Sequence, residues 1–519
     1  MRKPKRKKLS LFTKPKKQLP EQLLQEETPS EVTELTGNLS ETEQYIRQAT
    51  GGSTDFIYKQ FSIGLCETQQ AMLIYIDGLV DTQATRDLLT YLMDPIRLQQ
   101  ETSEFGRLLD GHLLPISIAK EVFTLQDTLA AILAGQTVLL GEGFRNGLAI
   151  DASGAEHRNV ETAKNQIVVK GPQDAFNEIL RVNTALVRKR IKHPNLWTET
   201  MEIGEVTKTT VCVMYIKHLA NEQIITEVKN RLSQIKTDSI LETGYIEEFI
   251  EEKKWSLFPT MFNTERPDVV AANLLEGKVA IFVDNTPFVL SVPAVFVQFF
   301  QSAEDYYNRN DYGLLRILRF FSFFIALLAP ALYIALTTFH QEMLQTTLLI
   351  SIAAQRDAIP FPAFFEALIM QITFEILREA GIRMPRAVGG AISIVGALVL
   401  GESAVQAGLV SAAMVIVVAI TALTTFIIPE PALYLPQRIL RIVFMALGAF
   451  YGVFGIVIGL FALLLHLCSL ESFGIPYMSP MGPLDVRDQQ DTFIRLPRWM
   501  MKKRPKTFKS ENEVRTNKK

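Results

Sequence analysis

Two kinds of hydrophobic pattern divide this chain. Up to about residue 300, apolar residues come in short bursts separated by amphipathic stretches. Residues 71–76, 136–140, 209–216 and 278–283 read as buried strands. Apolar positions at helical spacing predict helices over 81–92, 124–133, 174–190 and 223–232. A polar, glycine-containing stretch at 151–161 separates these into two α/β subdomains, about 50–155 and 160–300, with strand order left open. Ahead of them, residues 1–48 are rich in Lys, Glu, Gln, Thr and Pro without a sustained apolar period. That is the composition of a disordered tail.

Beyond Leu314 the pattern changes. Residues 320–339, 409–428 and 442–465 carry no charged side chain. Each is ~20 residues or longer, which at ~1.5 Å of rise per residue spans the ~30 Å of a bilayer's hydrocarbon. The expected fold class is therefore an α/β region of two subdomains followed by an all-α multi-span membrane domain over 314–470. Its helices are predicted at about 320–339, 363–379, 387–400, 409–428 and 442–468.

Two of these five are atypical. At 100° per residue, Gln371, Glu375, Arg378 and Glu379 form one stripe, with Glu366 nearly opposite. Ionisable groups at membrane depth face protein or water rather than lipid, so this helix is buried in an assembly, lines an aqueous path, or lies in the interface with Glu375 paired to Arg378. The 387–400 segment would reach only ~21 Å, and Gly389, Ser393, Ala397 and Gly401 give it a small-residue face. Gly448, Gly452, Gly455 and Gly459 are expected to form such a packing face in the last helix.

Charge then orients the helices. Arg316 and Arg319 precede the first span, and Arg495, Arg498, Lys502, Lys503, Arg504, Lys506 and Lys509 follow the last. The excess of positive charge on inner loops puts the N-terminal region and a basic 471–519 tail in the cytoplasm. Both ends inside require an even number of crossings, so one of five segments is expected to be re-entrant or interfacial.

Composition narrows the chemistry. A formal net charge of −2 offers no excess for binding nucleic acid. The three cysteines are scattered and show neither a disulfide framework nor metal-ligand spacing. The phosphate-binding loop and the His-Glu-x-x-His motif are missing, and the histidines are isolated in sequence. No cofactor, metal or catalytic site is expected. Arg188, Lys189, Arg190 and Lys192 close a predicted helix, where cations complement its dipole. They are also candidates for contact with an acidic partner or lipid headgroups.

That basic stretch follows Lys170-Gly171-Pro172. With Thr264-Glu265-Arg266-Pro267-Asp268, Asp284-Asn285-Thr286-Pro287, Pro360-Phe361-Pro362, Phe374-Glu375-Ile376-Leu377-Arg378-Glu379 and Phe473-Gly474-Ile475-Pro476-Tyr477, in this order, it resembles the GerA family, the A subunits of bacterial spore germinant receptors. The resemblance implies a two-lobed cytoplasmic domain, the spore inner membrane, a transporter-like B subunit and a lipoprotein C subunit. It also implies a homo-oligomeric ring, such as a pentamer, forming a nutrient-gated cation channel. On that reading Glu366, Glu375 and Glu402 are candidate path residues, because rings of carboxylates favour cations. Ser393 and Val395 are candidates for a narrow point. A stand-alone transporter or a structural scaffold is the alternative.

Overall fold

The computed structural model describes residues 33–63, 70–93, 119–152, 162–163, 165–307, 313–383, 402–510 and 512–515. Residues 39–49 form a helix, α1 (Leu39–Ala49), started by the Asn38 side chain, which accepts from the Ser40 and Glu41 amides. Leu35, Leu39 and Ile46 are buried. The tail expected through residue 48 thus gives way to packed structure from residue 33, because these three apolar residues reach the first core.

That core surrounds a sheet of β1 (Phe56–Ser62), β2 (Gln70–Ile76), β3 (Ala119–Val122), β4 (Thr137–Gly141) and β5 (Gly147–Ile150). The order is β1-β2-β4-β5-β3, antiparallel at every pairing. One face packs on α1 and α3 (Leu125–Leu133), the other on α2 (Thr82–Met93). Apolar side chains on both faces of β2 explain its unbroken apolar run.

The second unit repeats this plan. It has β6 (Leu196–Ile203), β7 (Thr209–Ile216), β8 (Phe262–Thr264), β9 (Val279–Val283) and β10 (Val289–Val292), ordered β6-β7-β9-β10-β8 and again antiparallel. Helices α4 (Leu180–Arg190) and α7 (Pro267–Leu275) cover one face. On the other lie α5 (Glu222–Ser233) and α6 (Thr243–Ile250).

The two units also share sequence. Tyr75-Ile76-Asp77-Gly78-Leu79-Val80-Asp81 leaves β2, and Tyr215-Ile216-Lys217-His218-Leu219-Ala220-Asn221 leaves β7. Gly78 and His218, at matching positions, both have positive φ. Asp81 and Asn221 both accept a backbone amide of the following helix, from Gln83 and Gln223, at 2.8 Å.

At the joint between the repeats, Arg188 lies buried against Asp55, with Nη2 2.9 Å from Oδ1. Thr198 donates to the same carboxylate at 2.6 Å, and the Trp197 ring lies flat on Gly51. Arg188 is therefore not a free surface cation.

A short helix, α8 (Glu304–Tyr307), leads to the helical half. Its first helix, α9 (Leu314–Thr338), begins ahead of the charge-free run because Arg316 and Arg319 are buried in ion pairs. Then come α10 (Thr346–Arg356), α11 (Ala363–Arg383), α12 (Ala412–Phe426) and α13 (Tyr434–Cys468). The predicted 387–400 helix lies outside the described residues.

The last element is not one long span. Gly452 has φ 61° and ψ −147°, which breaks the helix. A Cβ on Gly455 would stand 2.6 Å from the Leu447 carbonyl oxygen, and one on Gly459 2.9 Å from the Phe444 ring. Residues 15 apart in a straight helix would be separated by ~22 Å, so the chain doubles back at Gly452 into two antiparallel arms, 434–451 and 453–468. The four glycines do serve close contact, but not on one face: Gly448 meets Ala331 of α9, Gly452 makes the turn beside His340, and Gly455 and Gly459 meet the first arm.

The second arm returns to the α/β region, where His466 Nε2 lies 3.2 Å from Ser256 Oγ. The segment that follows is folded rather than a loose tail. Phe473, Ile475 and Phe508 enter the core of the second repeat, and the Ser472 hydroxyl donates to the Thr260 carbonyl at 2.6 Å. Phe258, Phe296, Phe300, Phe320, Phe323, Phe444 and Tyr477 belong to one core shared by the second repeat and the helices.

Candidate functional site: a charged groove on the helical half

The stripe predicted on residues 363–379 is present on α11. It forms one wall of a groove of about 540 Å³ whose other wall is the first arm of α13. Leu368, Ile372, Ile376 and Ile442 make it apolar, Glu375, Glu379, Arg383, Arg438 and Arg441 charge it, and Gln371 adds a neutral amide. Glu375 pairs with Arg378 at 2.9 Å and with Arg438 at 3.4 Å, while Glu379 pairs with Arg383 at 2.7 Å.

Arg441 sits at the base of the groove, buried, with no carboxylate among the described residues in hydrogen-bond reach. Its guanidinium donates to the Ala326 carbonyl at 2.7 Å, to Gln371 Oε1 at 2.9 Å and to Thr425 Oγ1 at 3.0 Å. Three helices thus spend polar groups on one cation. This matters because a cation held away from water needs every donor satisfied.

The three carboxylates singled out from sequence do not converge. Glu366 is fully buried, accepting from the Ser411 amide at 2.6 Å and from the Ser411 hydroxyl, so it ties α11 to the start of α12. Glu375 alone lines the groove. Glu402 is exposed and accepts from Gln406 at 3.1 Å. Ser393 and Val395 lie outside the described residues. In the basic cluster Arg190 pairs with Asp174, and only Lys189 and Lys192 are exposed.

A second charged cluster, unseen from sequence, fastens the helices to the α/β region. Asp305, fully buried, accepts from Arg316 at 2.7 Å and from Arg319 at 2.8 Å. Arg316 also reaches Asp491 at 2.7 Å, and Tyr306 donates to Asp491 at 2.8 Å. Across the same boundary, Gln166 donates to Glu430 at 2.9 Å. The signal available was Arg316 and Arg319 three residues apart on one helix face, read only as an orientation marker. Among the described residues, no group of three or more His, Cys, Asp or Glu side chains is placed to hold a metal ion.

Comparison with known proteins identifies the family. The Bacillus/Clostridium GerA spore germination protein family matches residues 44–507. Spore germination protein KA of Bacillus subtilis (strain 168) is 46% identical over 488 residues, covering 93% of this chain and 88% of that protein. The membrane protein YfkQ of the same organism is 43% identical, covering 95% of each. GerLA of Bacillus cereus is 38% identical over 93% of this chain and 98% of its own. The crystal structure of the N-terminal domain of the A subunit of the Bacillus megaterium spore germinant receptor GerK3 is 37% identical, covering 52% of this chain and all of that one, with a TM-score of 0.41. A family match over most of the length, with relatives of this similarity spanning nearly the whole chain, means that the chain belongs to the GerA spore germination protein family.

Proposed function

We propose that this chain is the A subunit of a nutrient germinant receptor in the spore inner membrane. In this reading it works with a transporter-like B subunit and a lipoprotein C subunit, and several copies form a ring around a cation path. The α/β repeats and the C-terminal segment lie on the cytoplasmic side, and the helices of the second half cross or enter the bilayer. Two stretches, Leu314–Thr338 and Pro431–Cys468, are long and apolar enough to cross, the second being folded on itself at Gly452.

The observation that carries the ring reading is the groove. Its Glu375, Glu379, Arg383 and Arg438 sit beside side chains that are otherwise apolar and exposed, such as Ile372 and Ile376. A charged residue facing lipid costs up to about 2.5–3.5 kcal/mol on insertion scales, the full figure applying at mid-depth. A neighbouring copy or a water-filled path covering the groove would remove that cost. Glu375 is the carboxylate best placed for such a path, and Ser393 and Val395 remain proposed for its narrow part.

Two measurements test this reading. Spores carrying Glu375→Gln or Val395→Ala should release ions at an altered rate, or leak without nutrient. The protein purified in mild detergent should sediment as a ring of several copies. A monomer, with wild-type ion release in both variants, would overturn the channel reading.

A further inference from the structure

The chain has three tryptophans, and two of them stand exposed at the same end of the helical half. Trp255 is 99% exposed, in a loop between Lys254 and Leu257. The loop is fixed against the end of the last arm of α13: Lys253 Nζ donates to Ser469 Oγ at 3.0 Å, and Phe258 packs on the His466 ring. Trp499 is 75% exposed, next to Arg498 and close to Lys502 and Lys503. Its segment is fixed against the base of α9, where the Phe493 and Phe320 ring centroids are 4.8 Å apart and Arg498 lies over Tyr306.

These contacts set the depth of both indoles. Phe320 is the first residue of the charge-free run of α9, and His466 follows the charge-free run that ends at Leu465. Trp255 and Trp499 therefore stand level with the two places where apolar helix surface meets polar protein. An indole has an apolar body and one N–H donor, and it concentrates where hydrocarbon meets headgroups. Exposed Lys and Arg beside it are attracted to anionic headgroups. Two exposed tryptophans among cations, carried on two flanking segments packed at that level, have the chemistry of anchors.

We propose that Trp255 and Trp499 insert into the headgroup layer of the membrane, with Lys254, Arg498, Lys502 and Lys503 binding anionic lipid. Together they form a collar that holds the second α/β repeat at a fixed height and tilt over the bilayer. The occupant is the lipid surface, because both segments are continuous with the apolar faces of the helices. The collar rests on the bilayer reading of those helices given above.

The test uses the full chain in lipid nanodiscs containing phosphatidylglycerol, with single-tryptophan proteins made by Trp→Phe at the other two positions. Headgroup spin-labelled lipid should quench Trp255 and Trp499 by about twofold and leave Trp197, at the joint between the repeats, unchanged. Replacing phosphatidylglycerol by phosphatidylcholine should weaken the quenching, and quenching indifferent to lipid charge would overturn the anionic part. A tryptophan-free protein carrying Phe461→Trp, on an exposed face of the second arm, reports on the bilayer itself through acyl-chain bromines. If Phe461→Trp is quenched while Trp255 and Trp499 are not, the collar is wrong and the bilayer reading stands. If Phe461→Trp is not quenched, both fall together.

Discussion

The two α/β repeats have the same strand order and share turn residues, yet among the described residues only the second is built into the helical half. The first touches its sister through Asp55, Arg188, Thr198 and the Trp197–Gly51 contact. The second shares a core with α9 and α13, receives Phe473, Ile475 and Phe508 from the C-terminal segment, and leads directly into the Asp305 cluster. A duplicated fold can thus sit in two settings, with one copy, among the described residues, sharing a core with the helices.

The largest expected effect comes from breaking the mount of the second repeat. Arg316→Ala leaves Asp305 buried with one partner fewer and strips Asp491 of its cation, at about 4–5 kcal/mol. Thermal unfolding of the detergent-solubilised protein should show it, and an unchanged midpoint would mean that the cluster is not a fastening. Asp55→Ala comes next. It leaves Arg188 buried without its carboxylate, costing about 3 kcal/mol. The expected readout is faster protease cleavage between the repeats, while the helical half stays protected.

Matched glycines sharpen the comparison further. Gly135 and Gly277 occupy equivalent turns, with φ of 90° and 89°. Alanine at either bears the left-handed backbone penalty of about 1–2 kcal/mol. At Gly135 the nearest atom to the new Cβ would be 3.7 Å away, whereas at Gly277 the Leu219 carbonyl oxygen would be at 2.7 Å and Ser510 Oγ at 2.5 Å. Gly277→Ala should therefore be worse than Gly135→Ala by about 1–2 kcal/mol in denaturant titrations. Equal losses would mean that the C-terminal segment does not press on this turn.

The smallest effect is one of pH. Burial, reinforced by Glu251, Glu242 and Glu248, pushes the Glu247 carboxyl of α6 up from 4.5 to about 7. A raised folded-state value means that the native state holds the proton more tightly than the unfolded chain. The resulting stability is present below pH ~4.5 and is lost as pH rises through about 7. Glu247→Gln should flatten the unfolding midpoint across that window, and a parallel profile would refute the assignment.

Much of this was legible in the sequence. The apolar runs at 71–76 and 211–216 marked central strands because both faces of each sheet are covered. The stripe of Gln371, Glu375 and Glu379 was legible because helical periodicity is a property of sequence alone, whereas the groove it lines needed the position of the last helix. The turn at Gly452 was not legible: hydropathy records how apolar a stretch is, and two short arms look the same as one long helix. The roles of Arg188 and Glu366 were missed because their partners, Asp55 and Ser411, lie far away in the chain. The duplication could have been found by aligning the residues after Tyr75 with those after Tyr215.

The fold-back at Gly452 also decides what the helical half shows at each of its two ends. Because the last helical element returns to its starting side, both described ends of the chain gather on one face. Within the described residues, the opposite face offers little beyond the region from His340 to Pro362, the approach to Ser411 and the bend itself. If the helices cross a bilayer as proposed above, a protease or antibody confined to the far side would find, among the described residues, only these short stretches to attack.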